Sequence, residues 1–100
     1  MSKYKIVWTP IALESLKEIV KFIEQENPVA AQREAKRIKR SILRLKTFPS
    51  SGKAFPPIPG IREIIITPYR IFYEIMGKSV VIHRVIHGKR DISQMIGQNP

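Results

Sequence analysis

Three strand-like stretches in the C-terminal half of the chain most strongly limit what it can fold into. Residues 61–67, 69–76 and 79–87 are rich in β-branched and aromatic side chains, and short Thr-Pro and Gly-Lys sequences separate them. Stretches joined by such short turns predict a three-stranded antiparallel meander. At Gly77-Lys78 the glycine can adopt the positive φ that a two-residue hairpin turn requires.

Alternation along the middle strand predicts which of its side chains face the core. Side chains two residues apart lie on the same face of a strand. Ile71, Tyr73 and Ile75 therefore form a core-facing set. The opposite set, predicted to lie on an open face, consists of Arg70, Phe72 and Glu74. In the third strand both alternating sets are largely apolar, so the pattern leaves its faces unassigned.

Basic residues recur along the meander and continue past its last strand. Arg62 and Arg84 lie within strands, and Lys89 and Arg90 follow directly after the last one. A sheet face with this charge can bind an anion. The alternative is a solvated strand face that carries ordinary surface charge.

Two helices are predicted before the meander, over about residues 10–47. Each follows a polar cap residue and a proline, Thr9-Pro10 and Asn27-Pro28, which is typical of a helix N-terminus. Apolar residues then recur at spacings of three and four, as on the buried side of an amphipathic helix. The short connection between the two helices predicts an antiparallel hairpin.

The order of these elements places the chain in the α+β class. A short strand over residues 3–8 precedes the helical hairpin, which we expect to pack on a small, mostly antiparallel sheet that includes the meander over about 61–87. A length of 100 residues suits one domain, spanning 1–100. The proline-rich stretch 50–59 is expected to be an extended connector. The tail 91–100 has a weak apolar pattern that suits one or two helical turns.

The formal net charge of +10 is large for 100 residues and narrows the choice of partner. It favours nucleic acid, a nucleic-acid machine or an acidic protein. Helical spacing predicts a basic ridge on the second helix, made of Arg33, Lys36, Arg40 and Arg44. The ridge could bind phosphate, or it could be a solvated face partly neutralised by the acidic first helix.

Several kinds of chemistry have no basis in this sequence. There is no cysteine, which excludes disulfides and suits a reducing compartment. No stretch approaches the roughly 20 apolar residues of a membrane span, and the N-terminus has no signal-peptide core, so we expect a cytoplasmic protein without membrane contact. His83 and His87 would lie about 13 Å apart on a strand, too far to share a metal ion. We expect no metal site and no cofactor.

The chain contains some residues of the types that RNA cleavage requires. That reaction needs a base for the 2′-hydroxyl, cations for the developing charge and an acid for the leaving group. Arg62, Arg70, Arg90 and His87 could supply some of these groups. Their spacing alone is a weak signal.

Short motifs in a defined order run through nearly the whole chain. They are Trp8-Thr9-Pro10, Asn27-Pro28, Phe48-Pro49, Ile61-Arg62-Glu63, Pro68-Tyr69-Arg70-Ile71 and the segment from Arg84 to Asp91. Their order and spacing resemble the RelE/ParE superfamily of type II toxin–antitoxin toxins. The resemblance implies a β-α-α-β-β-β fold and a small basic toxin. It also implies hetero-oligomer formation with a cognate antitoxin, an acidic and DNA-binding protein that lays a helix or extended segment over the toxin.

The superfamily contains two activities, and the resemblance implies different roles for the same residues. RelE-like members cut messenger RNA in the ribosome, and by resemblance their catalytic positions are Arg70, Arg90 and His87. The two lysines of the preceding RelE strand have no counterpart here. Met95 or Ile96 stands near the position of the C-terminal tyrosine, and neither can transfer a proton.

For the ParE-like branch, the resemblance implies a protein that inhibits DNA gyrase and performs no catalysis of its own. The His-Gly-Lys-Arg-Asp ending and the Arg-Glu strand are closer to this branch, which we favour. Contacts with the target or the antitoxin are then expected from Arg62, Arg84, Lys89, Arg40 and Arg44. A nucleic-acid-binding domain without toxicity is a third possibility of a different class.

Overall fold

The structure, a computed structural model, describes residues 3–88 of the chain. Its elements in chain order are β1 (Lys5–Trp8), α1 (Pro10–Glu24), α2 (Pro28–Leu43), a 3-10 turn (Arg44–Lys46), β2 (Lys53–Ala54), β3 (Ile61–Ile66), β4 (Tyr69–Met76) and β5 (Ser79–His87). The predicted α+β class and element order are confirmed. The expected helical turns at 91–100, and the positions of Lys89 and Arg90, lie outside the described residues.

The strands form one sheet in the order β1-β5-β4-β3-β2. The meander of β3, β4 and β5 is antiparallel as predicted, and β1 pairs with β5 in parallel. The β4–β5 hairpin turns at Gly77, whose φ is 59°. Strand β2 was not predicted, because two residues inside a proline-rich connector carry no recognisable alternation.

Both helices begin where their cap residues predict. The Thr9 hydroxyl accepts a hydrogen bond from the Ala12 N–H at 3.0 Å. The Asn27 side-chain oxygen accepts one from the Ala30 N–H, also at 3.0 Å. Each bond satisfies a backbone donor that has no partner within the helix, and so fixes the first turn. A proline follows each cap at the start of the helix.

The two helices cover one face of the sheet, which we call the inner face; the opposite face is the outer face. The core that forms between helices and sheet contains Ala12, Leu16, Ile38, Ile42, Leu45, Tyr69, Ile71, Tyr73, Val80, Ile82 and Val85. The predicted core positions Ile71 and Tyr73 are both fully buried. Burial of these apolar side chains is the main source of stability for such a fold.

Phe72 differs from the prediction for the outer face. It lies on that face, as expected from alternation, but its side chain is 0% exposed. The ring of Phe55, in the connector after α2, packs against it edge-on with 4.9 Å between the ring centroids. The prediction of an open face is therefore wrong at Phe72, because the connector folds back over the sheet.

A hydrogen-bond cluster ties the start of this connector to β4. The Tyr73 hydroxyl donates to the Pro49 carbonyl at 2.7 Å and accepts from the Gly52 N–H at 2.9 Å. Burial raises the pKa of Tyr73. The Arg62 guanidinium donates to the Gly52 carbonyl at 2.7 Å. A Cβ at Gly52 would lie only 2.6 Å from the Tyr73 oxygen, so only glycine fits there.

Gly52→Ala should therefore destabilise the fold. The added methyl group overlaps a buried ring that the core holds in place, and overpacking of this kind costs about 1–3 kcal/mol. Chemical denaturation measures the loss of unfolding free energy. Ser51→Ala, at an exposed neighbouring position, is the matched control. Equal stability of the two variants would contradict the close contact.

Candidate functional site

A β-bulge in the β4–β5 pairing decides which side chains of β5 reach the outer face. Tyr73 pairs with Ile82, whereas its neighbour Phe72 pairs with Arg84. His83 is therefore an extra residue in β5. An extra residue reverses the alternation of all side chains that follow it in the strand.

The reversal determines on which face of the sheet each side chain at the end of β5 lies. Val85 enters the core with 2% exposure, and Arg84 lies on the outer face across from Phe72. His87 lies on the inner face, where its ring meets the Tyr69 ring edge-on with 5.9 Å between centroids. The sequence left these faces unassigned, and the bulge explains why neither simple alternation fits the whole strand.

Arg70 lies on the outer face and is held by two neighbouring side chains. Its Nε donates to a carboxylate oxygen of Glu63 on β3. Its guanidinium carbon lies 5.2 Å from the centroid of the Phe72 ring. The Arg70 side chain is 25% exposed and that of Glu63 is 13% exposed. The positive charge of Arg70 is therefore already matched inside the chain.

The structure does not bring the predicted catalytic residues together. Arg70 belongs to the outer face and His87 to the inner face, so the sheet separates the two side chains. Arg90, the third predicted catalytic residue, lies outside the described residues. The histidine closest to the outer-face arginines along β5 is His83, whose Nε2 lies 3.0 Å from the Glu74 carboxylate.

The predicted binding residues are spread over different parts of the surface. Arg62 lies across from Tyr73, and its hydrogen bonds to Ser50 and Gly52 hold the connector. Arg40 and Arg44 are exposed on the helical side of the molecule, at a distance from the outer-face Arg84. All four residues of the ridge predicted on the second helix are exposed, namely Arg33, Lys36, Arg40 and Arg44.

Arg37 also lies on the basic helix α2, but it has a structural role. Its Nη2 donates to the Glu34 carboxylate and to the Thr67 carbonyl, each at 2.8 Å, and so ties α2 to the β3–β4 turn. The hydrogen bond from Arg37 holds the pKa of Glu34 below its usual value of 4.5. Burial raises the pKa of the neighbouring Tyr69.

A groove of about 650 Å³ lies between α1 and the ends of β4 and β5. Its lining residues are Ser15, Glu18, Ile19, Phe22, Ile23, Tyr69, Val85 and His87. Phe22 is 75% exposed at its rim. His87 therefore belongs to a mainly apolar surface, not to the basic one.

A second groove, of about 640 Å³, lies between β1 and the helical hairpin. We call it the lysine groove, and its lining residues are Lys3, Tyr4, Lys5, Ile6, Trp8, Leu13, Leu16, Lys39, Ile42, Leu43 and Lys46. No acidic side chain occurs among these described residues. Sequence reasoning missed this site because its lysines come from separate segments that only the packing of the helices on β1 brings together.

The described part of the chain offers no site for a metal ion and no membrane span. Within residues 3–88 no group of three His, Cys, Asp or Glu side chains is placed to bind a metal. No helix in the same range is long and apolar enough to cross a membrane.

The family model described as "ParE toxin of type II toxin-antitoxin system, parDE" matches residues 6–92. The chain therefore belongs to the ParE toxin family, within the RelE/ParE superfamily, and is the toxin component of a type II toxin–antitoxin system. The resemblance inferred from the sequence motifs is confirmed.

Relatives carry both branch names. The chain is 36% identical over 98 residues to the protein Y4kP of Sinorhizobium fredii, covering 96% of this chain and 100% of that protein. It is 36% identical over 87 residues to the toxin RelE2 of Caulobacter vibrioides, covering 86% and 97%. It is 28% identical over 76 residues to ParE3 of the same organism, covering 75% and 76%.

Solved structures of similar fold include two toxin–antitoxin systems. One is the chromosomal ParDE toxin–antitoxin system from P. aeruginosa, with a TM-score of 0.76 at 21% identity, covering 85% of this chain and 96% of that chain. The other is the toxin–antitoxin complex RelBE2 from Mycobacterium tuberculosis, with a TM-score of 0.66 at 23% identity, covering 85% and 98%.

Glu34→Gln should reduce the acid sensitivity of the fold. Because the folded-state pKa of Glu34 is lowered, its stabilising contribution is present above its unfolded pKa and is lost as the pH falls through the folded value. The fall in melting temperature between pH 7 and about pH 3 should be smaller in Glu34→Gln than in the wild-type chain. Glu14→Gln, at an exposed position on α1, is the control. An identical fall in all three proteins would contradict the Glu34–Arg37 account.

Proposed function

We propose that this toxin acts as a ParE-like inhibitor of DNA gyrase, by binding and without catalysis, and that a cognate antitoxin neutralises it. The observation that carries the non-catalytic part is the placement of Arg70 and His87 on opposite faces of the sheet. A ribonuclease needs its cations and its acid–base groups around a single phosphate.

The surroundings of Arg70 support the same conclusion. A phosphate bound at this guanidinium would have to displace the Glu63 carboxylate, which is largely buried beside it. The connector residue Phe55 covers the adjacent ring of Phe72. Contacts within the chain therefore already occupy the Arg70 guanidinium and the adjacent Phe72 ring, which disfavours binding of an RNA phosphate at Arg70.

The basic ridge on α2 supports a polyanionic or acidic partner. Its four cations are exposed; Arg33, Lys36 and Arg40 lie on α2, and Arg44 follows in the 3-10 turn. Such a surface accelerates association with an acidic partner and makes the binding sensitive to salt. An antitoxin partner is also supported by the two structures of similar fold, since both are toxin–antitoxin systems.

The alternative is a RelE-like, ribosome-dependent mRNA endoribonuclease. The observation in its favour is the 36% identity with the toxin named RelE2. It would require Arg90 together with Arg70, and a proton-transfer group other than His87 on the outer face.

Induction of the chain without antitoxin in a bacterial host separates the two activities. We expect DNA synthesis to fall before protein synthesis, with filamentous cells and DNA breaks, and with relief in a gyrase-resistant host. Pulse labelling of both syntheses and mapping of messenger RNA 5′ ends provide the measurement. An early loss of protein synthesis with codon-phased cuts would contradict the proposal.

A supercoiling assay with purified gyrase tests the ridge itself. The double variant Arg40→Glu/Arg44→Glu should inhibit gyrase about tenfold less well, because it reverses two exposed charges at the proposed contact. Lys17→Glu/Lys21→Glu makes the same change of net charge on exposed positions of α1 and is the matched control. Equal loss in both variants would show that net charge, and not the ridge, decides binding.

A further inference from the structure

The basic ridge points directly away from the core of the molecule. Successive residues of an α-helix lie about 100° apart around its axis, since one turn holds about 3.6 residues. The ridge residues on α2 therefore lie within about 60° of Arg33, and the buried residues of the helix lie about 140–180° away from it. Arg44 caps the helix with helical φ and ψ values of −63° and −21°, and so continues the same line. The ridge is thus the convex side of the helix, not the wall of a groove.

Most of the positive charge of the ridge has no partner within the described chain. The one acidic residue of α2 is Glu34, which bonds to Arg37 at 2.8 Å and lies 3.8 Å from the Nε of Arg33. The Arg33 side chain is nonetheless 69% exposed. Across residues 3–88, no ion pair involves the other three residues of the ridge. A negatively charged ligand can therefore reach these cations without displacing a carboxylate.

The ridge has no apolar component that would anchor a folded protein. Protein interfaces are held mainly by aromatic and apolar side chains that become buried at their centre. Among residues 33–44 the only exposed apolar side chain is Leu43, and it lines the lysine groove. Three of the four ridge residues are arginines, whose guanidinium groups match a phosphate with two parallel hydrogen bonds. The chemistry of the ridge therefore favours phosphate groups over a protein surface.

The length and shape of the ridge suit a duplex more than a single strand. A rise of 1.5 Å per residue places Arg33 and Arg44 about 16 Å apart along the helix axis. Over that length a DNA duplex carries roughly ten phosphate charges, and its major groove, about 12 Å wide, admits an α-helix. Proteins that hold single strands stack the bases on aromatic side chains, and α2 contains no aromatic residue.

We propose that the basic ridge of α2 binds the phosphate backbone of duplex DNA without reading its sequence. This inference rests on the proposed function, because gyrase acts on duplex DNA, and it identifies the ligand of the ridge within that function. The toxin then contacts the DNA that gyrase holds, and its own positive charge contributes to the affinity for the gyrase–DNA complex.

The salt dependence of DNA binding by the full-length chain, without gyrase, tests the ridge. Fluorescence anisotropy of a labelled, mixed-sequence duplex of about 20 base pairs measures the affinity between about 50 and 200 mM salt. Each neutralised phosphate contributes about −0.9 to the slope of log affinity against log salt concentration. Arg40→Gln/Arg44→Gln should therefore make the slope shallower by about 1.8.

The matched control is Lys17→Gln/Lys21→Gln, which removes the same net charge from exposed positions of α1. Its slope should equal that of the wild-type chain, because these lysines lie outside the ridge. Far-ultraviolet circular dichroism verifies that both variants are folded. Equal slopes in the wild-type chain and Arg40→Gln/Arg44→Gln, or equal changes in both variants, would overturn the ridge as the DNA contact.

Competition by other polyanions tests the assignment to duplex DNA. An unlabelled DNA duplex of unrelated sequence should compete as well as the original one. Duplex RNA should compete several-fold less well, because its major groove is too narrow and deep for side chains to enter. Single-stranded DNA and poly-glutamate of equal total charge should also be weaker. Equal competition by poly-glutamate would assign the ridge to an acidic protein, and tighter binding of duplex RNA would assign it to RNA; either result would overturn the inference.

The outcomes separate this inference from the proposed function, because the binding assay contains no gyrase. If the wild-type chain inhibits supercoiling but its ridge does not bind the free duplex, only the DNA contact is wrong. If the ridge binds the duplex and supercoiling is unaffected, the DNA contact stands and the gyrase proposal fails.

Discussion

The extra residue at His83 determines which charged side chains of this toxin share a surface. Strict alternation from Ile82 would direct Arg84 toward the helices, where an unpaired guanidinium is costly to bury. The bulge instead returns Val85 to the core and leaves Arg84 on the outer face. The same reversal directs His87 toward α1. One backbone irregularity thus satisfies the core and separates His87 from Arg70, two residues that the predicted ribonuclease site would have to combine.

The connector after α2 completes this arrangement by closing part of the outer face. Phe55 covers Phe72, and the Tyr73 hydroxyl fixes the connector through Gly52. Arg70 is left in an ion pair beside this covered ring. Among residues 3–88, much of the accessible positive charge lies along α2 and around the lysine groove. The fold therefore leaves much of its surplus positive charge on the surface, while the Arg37–Glu34 and Arg70–Glu63 ion pairs hold elements together.

Local features of the sequence predicted the helices and strands well, whereas contacts between distant residues could not be predicted from it. Thr9 and Asn27 predicted the helix starts because capping depends only on neighbouring residues. The bulge was not predicted because both alternating sets of side chains in β5 are largely apolar, so the sequence disfavoured neither register. The burial of Phe72 and the lysine groove escaped because each depends on residues far apart in the chain. The candidate site could thus be placed only with the structure, whereas the family could be recognised from the sequence alone.

The face of the sheet that His87 occupies decides whether a catalytic site can form, and nuclear Overhauser effects in the full-length chain measure which face it is. We predict contacts between the imidazole protons of His87 and the ring protons of Tyr69, with a close Hα–Hα contact between Ile71 and Val85. Contacts between the His87 ring and the Arg70 side chain would place both on one face. That result would contradict the bulge and restore the geometry of a catalytic site.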